Sequence, residues 1–197
     1  MIDEAVAAIR AGRPVILPAD TVYGLCTTPY AAEPVERLYR LKGRPATQPT
    51  AIVASDVDML FECVPELRGR AGRIARALLP GPYTLVLPNP ERRYPWLTGG
   101  GDTIGVRVPE LPQAAAAVLD EVGAVLATSA NAHGGPDPRR VDEIPQAIRS
   151  ACGAIVDAGE LPGTPSTVLD LTGPEPRVLR EGAVPAAEAL AQLRGSA

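Results

Sequence analysis

Four cationic side chains and five hydroxyl or amide side chains, spread along the chain, are the residues best suited to act together in a reaction. Arginine matches phosphate and carboxylate groups with a planar fork of donors, and lysine acts as a compact point charge. Together such groups can bind a triphosphate and neutralise the charge that develops during phosphoryl or nucleotidyl transfer. Any one of these cations alone is more often a solvated surface charge. The set comprises Lys42, Arg44, Arg107 and Arg180 with Thr21, Ser129, Asn131, Ser166 and Thr167.

Covalent and metal-dependent chemistry fit the sequence less well. The single histidine, His133, lies in a loop rich in Gly and Pro, where it would be a poorly held base for a Ser or Cys nucleophile. One histidine and scattered carboxylates do not form a ligand set of the zinc type, so we expect no metal site built from protein side chains. What remains is catalysis by positioning and electrostatics, in which the substrate supplies its own nucleophile and Mg²⁺ arrives with the nucleotide.

The first long apolar run of the chain leads directly to polar side chains. Residues 15–17 are continuously apolar, which fits a strand buried on both faces, and Pro18 removes a ladder donor and ends it. Asp20, Thr21 and Tyr23 then place a carboxylate, a hydroxyl and a phenol within four residues. These groups fit a ligand site at a strand end. An ordinary strand followed by a polar turn explains this segment, taken alone, equally well.

Composition limits the class of protein. A chain of 197 residues can form one domain with a full core, and we expect a single domain over residues 1–197. The net charge of −4 and the pI near 5.1 argue against a protein that coats nucleic acid. Three cysteines without CxxC spacing indicate reduced thiols, and no apolar run is long enough to span a membrane. We therefore expect a cytoplasmic protein.

Apolar periodicity predicts alternating strands and helices, which is typical of an α/β domain with a mixed, largely buried sheet. Several predicted strands begin or end at the polar candidates, and ligands of open α/β sheets bind where strand ends and loops converge. One shared cleft is the simplest inference. Strands are predicted at 15–17, 25–28, 51–54, 84–87, 103–108, 124–128, 154–157, 166–171 and 177–180. Helices are predicted at 3–11, 34–42, 66–79, 112–121, 142–151 and 185–194, with a short helix capped at 55–56 and an irregular loop at 89–101.

Six short blocks occur in order along the chain: Pro18–Leu25, Leu41–Pro45, Gly81–Thr84, Gly105–Pro109, Ser129–Asn131 and Ser166–Val168. Together they closely resemble the threonylcarbamoyl-AMP synthase family, also called YrdC or TsaC. The resemblance covers nearly the whole chain, and Lys-x-Arg combined with Ser-x-Asn is the family's hallmark. The segment 45–50 departs from the family pattern, because members usually carry an apolar residue after its second proline.

The resemblance implies that the chain condenses L-threonine, bicarbonate and ATP to threonylcarbamoyl-AMP and pyrophosphate, for threonylcarbamoyladenosine modification of tRNA. It also implies a single α/β domain with a twisted mixed sheet, flanked by helices around a large positive cleft. The ATP-binding residues implied by position are Arg40, Lys42, Arg44, Thr103, Ser129, Asn131, Asp137 and Arg180, with Lys42 and Arg44 as the catalytic cations. The residues implied for threonine and carbamate are Thr21, Tyr23, Arg107, Ala127 and Thr167.

The resemblance is to the short, single-domain members, since the chain ends near Ala197 without the additional carboxy-terminal domain of longer members. It implies that separate proteins carry out the transfer to tRNA, and we expect direct tRNA binding to be weak or transient. Two alternatives stay open. A carbamoyl-adenylate-forming relative would use carbamoyl phosphate, although such domains usually lie within much longer chains. A non-catalytic RNA-binding module would use the same cleft, although the acidic composition disfavours it.

Overall fold

Nine strands form one twisted, mixed sheet within residues 1–48 and 50–195, the parts of the chain that the computed structural model describes. They are β1 (Val15–Pro18), β2 (Tyr23–Thr27), β3 (Ala51–Ala54), β4 (Tyr83–Pro88), β5 (Thr103–Arg107), β6 (Ala124–Ser129), β7 (Ala154–Ile155), β8 (Thr167–Asp170) and β9 (Arg177–Arg180). Their order across the sheet is β7-β1-β2-β6-β3-β5-β4-β8-β9. The pairs β1–β7, β3–β5 and β4–β8 are parallel and the other neighbours are antiparallel. The predicted α/β class with a mixed sheet is confirmed.

Eight α-helices among the described residues connect and cover the strands. They are α1 (Ile2–Arg10), α2 (Ala32–Lys42), α3 (Val57–Cys63), α4 (Gly69–Leu78), α5 (Pro95–Thr98), α6 (Gln113–Val122), α7 (Gln146–Ala151) and α8 (Ala186–Gly195). Asp56 caps α3 as predicted, because its carboxylate accepts a hydrogen bond from the Met59 backbone N–H at 2.8 Å. Within the described ranges, no helix combines the length and apolar character needed to cross a bilayer.

The two faces of the sheet carry different cores, because successive residues of a strand point to opposite faces. On one face, Leu25, Ile52 and Leu126 join a large apolar cluster with residues of α2, α3, α4, α7 and α8. On the other face, the neighbouring residues Cys26 and Val125 join a smaller cluster with residues of α1 and α6. We call the first the closed face and the second the open face.

The open face is covered over only part of its width. The smaller cluster involves β1, β2, β3 and β6, so α1 and α6 cover that half of the sheet. In β5, Ile104 and Val106 are buried in the large cluster, whereas Thr103, Gly105 and Arg107 alternate with them and are only half-buried. The strand predicted at 103–108 therefore alternates between the two faces of the sheet. It leaves a row of small and polar residues on the uncovered half of the open face.

Two predicted boundaries are wrong at turns. Strand β2 begins at Tyr23 and not at residue 25, because Tyr23 pairs with Pro18 to close the β1–β2 hairpin. The helix predicted at 142–151 is divided into a 3-10 turn at Val141–Glu143 and α7. Pro145 causes this division, since a proline disfavours helical conformation in the residue before it, and Ile144 is extended with ψ 131°.

Two further predictions are wrong around the large cluster. The helix predicted at 66–79 begins only at Gly69, because the preceding chain makes a turn in which the Leu67 N–H donates to the Val64 carbonyl. The loop predicted at 89–101 contains α5, whose Leu97 is fully buried. Both segments thus contribute a buried leucine to the closed face, which apolar periodicity over so few residues cannot indicate.

The prediction of one domain over residues 1–197 extends beyond the described ranges. Ser196 and Ala197 lie outside them, as does Pro49, the second proline of the segment that departs from the family pattern. All the strands listed above belong to the same sheet.

Candidate functional site

A cleft of about 490 Å³ lies on the uncovered half of the open face. Its floor consists of the residues of β3, β4, β5, β6 and β8 that alternate with the buried residues of the closed face. Most of these floor residues are small or carry hydroxyl groups, so they leave room for a ligand. Eight of the predicted site residues line this cleft: Thr21, Arg44, Thr103, Arg107, Ala127, Ser129, Asp137 and Arg180.

Lys42 lies at the end of α2 and is only 4% exposed. Its Nζ donates to the Ser129 carbonyl at 2.6 Å, to the Asn131 carbonyl at 3.2 Å and to Asn131 Oδ1. The Ser129 Oγ lies 3.3 Å away as a further acceptor. The Lys-x-Arg and Ser-x-Asn segments are therefore in direct contact through the lysine ammonium.

The electrostatic environment of Lys42 makes its ammonium group easier to deprotonate. Burial lowers the pKa of Lys42 from 10.5 to about 8, and the positive charge of Arg44 acts in the same direction. The carboxylate of Asp137 opposes this shift. Lys42 is therefore a cation whose charge depends on pH near neutrality and on which anions lie beside it.

Asn131 connects this lysine to the loop that follows β6. Its Nδ2 donates to the Gly135 carbonyl at 2.6 Å and to Asp137 Oδ1 at 3.2 Å, while its Oδ1 accepts from Ser129 Oγ at 2.8 Å. The loop is also held by the His133 N–H, which donates to the Lys42 carbonyl at 2.9 Å. These bonds place the Asp137 carboxylate in the cleft wall.

Arg44 reaches the cleft because the chain reverses immediately after α2. Gly43 adopts the left-handed conformation with φ 68° and ends the helix, which a residue with a Cβ atom rarely does. The Arg44 Nε then donates to the Gln48 carbonyl at 3.2 Å, and burial lowers the pKa of its guanidinium. Arg44 thus lines the cleft, whereas Lys42, two residues earlier, is buried against Ser129 and Asn131.

Arg180 reaches the cleft from β9 on the opposite side. Its Nη2 donates to the Ser166 carbonyl at 2.9 Å and to Ser166 Oγ at 3.3 Å. Ser166 Oγ also lies 2.8 Å from Thr84 Oγ1. The β8–β9 pairing shifts register between Val168 and Leu169, so that Arg180 stands opposite Val168 on the cleft floor.

Arg107, at the end of β5, forms an ion pair with Asp20 in the turn between β1 and β2. The Arg107 Nη2 donates to Asp20 Oδ1 at 2.8 Å, and Thr21 Oγ1 lies 3.3 Å from the same oxygen. Burial raises the pKa of Asp20, an effect that Arg107 opposes, and burial lowers the pKa of Arg107. Asp20 Oδ2 and Arg107 Nε are both buried and have no hydrogen-bond partner within residues 1–48 and 50–195.

Five of the predicted site residues do not line the cleft. Two of them, Lys42 and Asn131, contact each other, and the other three are Tyr23, Thr167 and Arg40. The phenol of Tyr23 lies 2.9 Å from Asp157 Oδ1 and accepts the Ala158 N–H at 2.9 Å. Thr167 Oγ1 donates to the Val184 carbonyl at 2.6 Å. Arg40 lies on the exposed side of α2, 3.9 Å from Glu36. Residues two apart on a helix point to different faces, so Arg40 does not share the face of Lys42.

The cleft also contains residues that the sequence analysis gave no role by position. Thr84 and Val86 line it, and the signal was available, because they alternate with buried residues of β4. Ser166 was in the chemical set without an assigned ligand. Asp20 was noted for its place at a strand end, but its partner Arg107 is 87 residues away and no local pattern connects them.

The arrangement can bind an extended anion. Arg44 and Arg180 stand on opposite sides, Arg107 lies on the floor, and Lys42 supports the wall formed by the segment 129–131. Arginine forks in a partly desolvated cleft bind phosphate and carboxylate oxygens more strongly than they would in water. The hydroxyl groups of Thr21, Thr84 and Ser129 supply additional hydrogen bonds within the cleft.

Comparisons with known proteins agree with this geometry. Two curated proteins named threonylcarbamoyl-AMP synthase match 93% of the chain, at 36% identity in Pyrococcus abyssi and 31% in Bacillus subtilis. The chain spans only 54% of the length of each of these relatives. The crystal structure of P. abyssi Sua5 complexed with L-threonine superimposes with a TM-score of 0.89 at 34% identity, covering 99% of this chain and 57% of that one.

The family comparison gives the same result over most of the sequence. A family described as Sua5/YciO/YrdC, "Telomere recombination", matches residues 7–182. That range includes every strand of the sheet and all the residues that line the cleft. From the sequence match and the shared fold, we conclude that the chain belongs to the Sua5/YciO/YrdC family.

Proposed function

We propose that this chain is an L-threonylcarbamoyladenylate synthase, a nucleotidyltransferase that condenses L-threonine, bicarbonate and ATP to threonylcarbamoyl-AMP and pyrophosphate. The observation that carries the proposal is the approach of Arg44, Arg107 and Arg180 to one cleft, beside the contact between Lys42 and Asn131. These cations suit a substrate set with a triphosphate and two carboxylate-type anions. The names of the relatives, one of which binds L-threonine, support the same reaction.

In this reaction the amine of threonine combines with bicarbonate, losing water, to form a carbamate. A carbamate oxygen then attacks the α-phosphorus of ATP, the bond from that phosphorus to the bridging oxygen breaks, and pyrophosphate leaves. Both steps proceed without a protein nucleophile, so the protein acts by positioning and by stabilising negative charge. A cleft lined by Arg44, Arg107 and Arg180 is suited to that role.

The ATP site would use the cations on either side of the cleft. Lys42, Arg44 and Arg180 would hold the phosphates together with Ser129 and Asn131, and Thr103 and Asp137 would contribute to the nucleotide pocket. Arg40 lies on the exposed side of α2 and has no place in this pocket. Lys42 already donates to protein acceptors, so it would exchange at least one of them for a phosphate oxygen. Binding a phosphate would also favour its charged form, because a nearby anion raises the pKa of an ammonium group.

The threonine and carbamate side would lie at the floor and the β1–β2 turn. Arg107 would bind the threonine carboxylate, and Thr21 and Ala127 would line the space around it. Tyr23 and Thr167, whose hydroxyl groups are bonded to the protein, would hold the neighbouring loops in place.

Mg²⁺ would enter as part of the ATP substrate and would neutralise phosphate charge. Asp137 is the carboxylate of the cleft wall nearest to the Lys42 and Asn131 network. Within the described residues, no group of three or more His, Cys, Asp or Glu side chains is placed to hold a metal ion.

The product is a reactive mixed anhydride, so a further enzyme must use it quickly. We place the chain in the cytoplasm, where separate proteins would transfer the threonylcarbamoyl group to tRNA. The acidic composition supports weak or transient contact with tRNA, since strong binding needs an excess of cations facing the phosphates.

The proposal is tested by incubating the purified protein with ATP, Mg²⁺, L-threonine and bicarbonate. We expect pyrophosphate release that requires both threonine and bicarbonate, with threonylcarbamoyl-AMP identified by mass spectrometry. Release that requires carbamoyl phosphate instead would identify the carbamoyl-adenylate-forming alternative. Absence of any turnover, combined with tight RNA binding in a gel shift at physiological salt that Lys42→Ala leaves unchanged, would favour the non-catalytic RNA-binding alternative.

A further inference from the structure

The Asp20–Arg107 ion pair lies where the main cleft meets a second pocket. Arg107 lines the main cleft together with Arg44 and Arg180. Asp20 lines a side pocket of about 340 Å³, whose other polar residues are Thr21, Glu110 and Thr164. Thr21 borders both spaces. The arginine of the pair therefore faces a region suited to anions, and the aspartate faces one suited to a cation.

The pair is incomplete as a structural salt bridge. Among the described residues, one direct bond joins the pair, from Arg107 Nη2 to Asp20 Oδ1, while Arg107 Nε and Asp20 Oδ2 are buried without partners. The side chains of Arg107 and Asp20 are 15% and 10% exposed. A buried ion pair stabilises a fold only when its remaining donors and acceptors are also satisfied. An unsatisfied buried donor beside an unsatisfied buried acceptor therefore indicates a ligand that supplies both missing groups.

The missing groups define the ligand by charge. Arg107 Nε requires an anionic or neutral acceptor, and Asp20 Oδ2 requires a donor. An α-amino acid carries a carboxylate and an ammonium group on the same carbon, so one zwitterion can supply both. The zwitterion also keeps the cluster neutral, whereas a carboxylate alone or an amine alone would leave one unit of uncompensated charge in a desolvated site.

We propose that Asp20 is a specificity-determining residue that binds the α-ammonium group of the amino acid whose carboxylate is bound by Arg107. This inference rests on the proposed function and adds a residue to it. The Asp20–Arg107 bond can persist in the complex, because the ligand uses the other atoms of both side chains. Since those atoms are shielded from solvent, the side chains around them must shift for the ligand to reach them.

The test compares three ligands of similar size by calorimetry: L-threonine, 3-hydroxybutyrate, which lacks the amino group, and 1-amino-2-propanol, which lacks the carboxylate. The unsubstituted protein should bind L-threonine at least about tenfold more tightly than either analogue. Asp20→Asn keeps the size of the side chain and removes its charge. It should weaken threonine binding by about tenfold and remove the preference over 3-hydroxybutyrate, while ATP binding is retained.

Asp170→Asn is the matched control, because Asp170 forms an ion pair with Arg177 at 2.6 Å outside the cleft lining. It should keep the preference for threonine. An Asp20→Asn protein with an unchanged preference would overturn the proposal. So would equal binding of L-threonine and 3-hydroxybutyrate to the unsubstituted protein, a measurement that does not depend on whether the variant folds.

Failure of the proposed function is distinguishable from failure of the Asp20 assignment. If the unsubstituted protein binds ATP but no L-threonine, the synthase proposal fails, and the Asp20 inference fails with it. If the unsubstituted protein binds threonine and forms threonylcarbamoyl-AMP while Asp20→Asn keeps the same ligand preference, only the Asp20 inference fails.

Discussion

The closed and open faces of the sheet use the same strands for different purposes. On the closed face, Leu85, Ile104 and Val106 are almost completely buried beneath helices. On the open face, their sequence neighbours Gly105 and Arg107 line the cleft. One strand thus contributes alternate residues to the core and to the site. The difference shows that a rigid binding floor needs no dedicated element when its reverse side is fully packed.

The two faces also differ in how their polar groups are satisfied. The closed face buries mainly aliphatic side chains, which need no partners, and its buried Tyr39 hydroxyl lies 2.6 Å from Thr50 Oγ1. The open face holds Lys42 and Arg107 in desolvated positions, where their charged forms depend on a few neighbouring hydrogen-bond acceptors and carboxylates. Closed-face substitutions should therefore mainly change stability, and open-face substitutions should mainly change binding and turnover. The following predictions test that separation, from the largest expected effect to the smallest.

Removing a cation of the open face should affect catalysis most. We expect Lys42→Ala and Arg44→Ala each to lower kcat/KM by about 10²–10³-fold, because electrostatic stabilisation of the reacting phosphates is lost. The measurement is pyrophosphate release at saturating threonine and bicarbonate. Circular dichroism should report a folded protein in both cases.

The control for these variants is Arg37→Ala, which removes an arginine that pairs with Glu33 on the exposed side of the same helix. Its turnover should stay within about twofold of the unsubstituted protein, since exposed ion pairs contribute little. Unchanged turnover in both Lys42→Ala and Arg44→Ala would refute the assignment of the site.

Adjacent residues of β4 should separate stability from binding. Leu85→Ala on the closed face should lower the free energy of unfolding by about 2–5 kcal/mol, because it leaves a cavity in the large cluster. Val86→Ala, one residue away in the cleft, should lower it by only about 1 kcal/mol while changing the KM for substrate. Urea denaturation monitored by fluorescence gives the free energy of unfolding of each variant, and pyrophosphate release gives the KM. Equal destabilisation by the two variants would contradict the separation of the faces.

The pH dependence of ATP binding should report Lys42. With a pKa of about 8 before ATP binds, Lys42 loses its proton as the pH rises above that value. ATP affinity should then fall by up to about tenfold per pH unit, with proton uptake on binding detectable by calorimetry in buffers of different ionisation enthalpy. Lys42→Met should remove this proton uptake. Proton uptake that persists in Lys42→Met would assign the titration to another group.

The same shift predicts the sign of the effect on stability. The pKa of Lys42 is lower in the folded protein than its ordinary value of 10.5, so between about pH 8 and 10.5 the unfolded chain binds more protons. The contribution of Lys42 to the free energy of unfolding should therefore become more favourable as the pH rises through this window. Comparison of the unsubstituted protein with Lys42→Met, by urea denaturation at pH 7.5 and 9.5, isolates this contribution.

The smallest effect should come from adding one methyl group to the cleft floor. A Cβ atom on Gly105 would lie 3.4 Å from Ala51 and from the Thr50 carbonyl, close to ordinary contact. Gly105→Ala should change the free energy of unfolding by less than about 1 kcal/mol. It should raise a substrate KM by about threefold, because it occupies cleft space. Gly173→Ala, outside the cleft lining, is the control, and equal kinetics in both variants would show that ligands do not reach Gly105.

Much of the fold was accessible from local patterns. The strand that carries Arg107 was predicted at 103–108, and Ser55 and Asp56 were identified from residue type as the cap of a short helix. The boundaries of elements that packing or a proline interrupts were not predicted from local patterns, as the late start of α4 and the division at Pro145 show. Local patterns report backbone preferences, and these boundaries depend on contacts with distant residues.

The sequence by itself determined the α/β class, the strand that carries Arg107, and the residue types of the site. Apolar periodicity, the positions of prolines and side-chain charge are all properties of the local sequence. Only the tertiary structure decided which groups meet. It placed the Lys42 ammonium between Ser129 and Asn131, turned Arg40 away from the cleft, and paired Asp20 with Arg107 across 87 residues. Such contacts depend on strand order and on which face a helix presents, and both emerge only when the whole sheet is assembled.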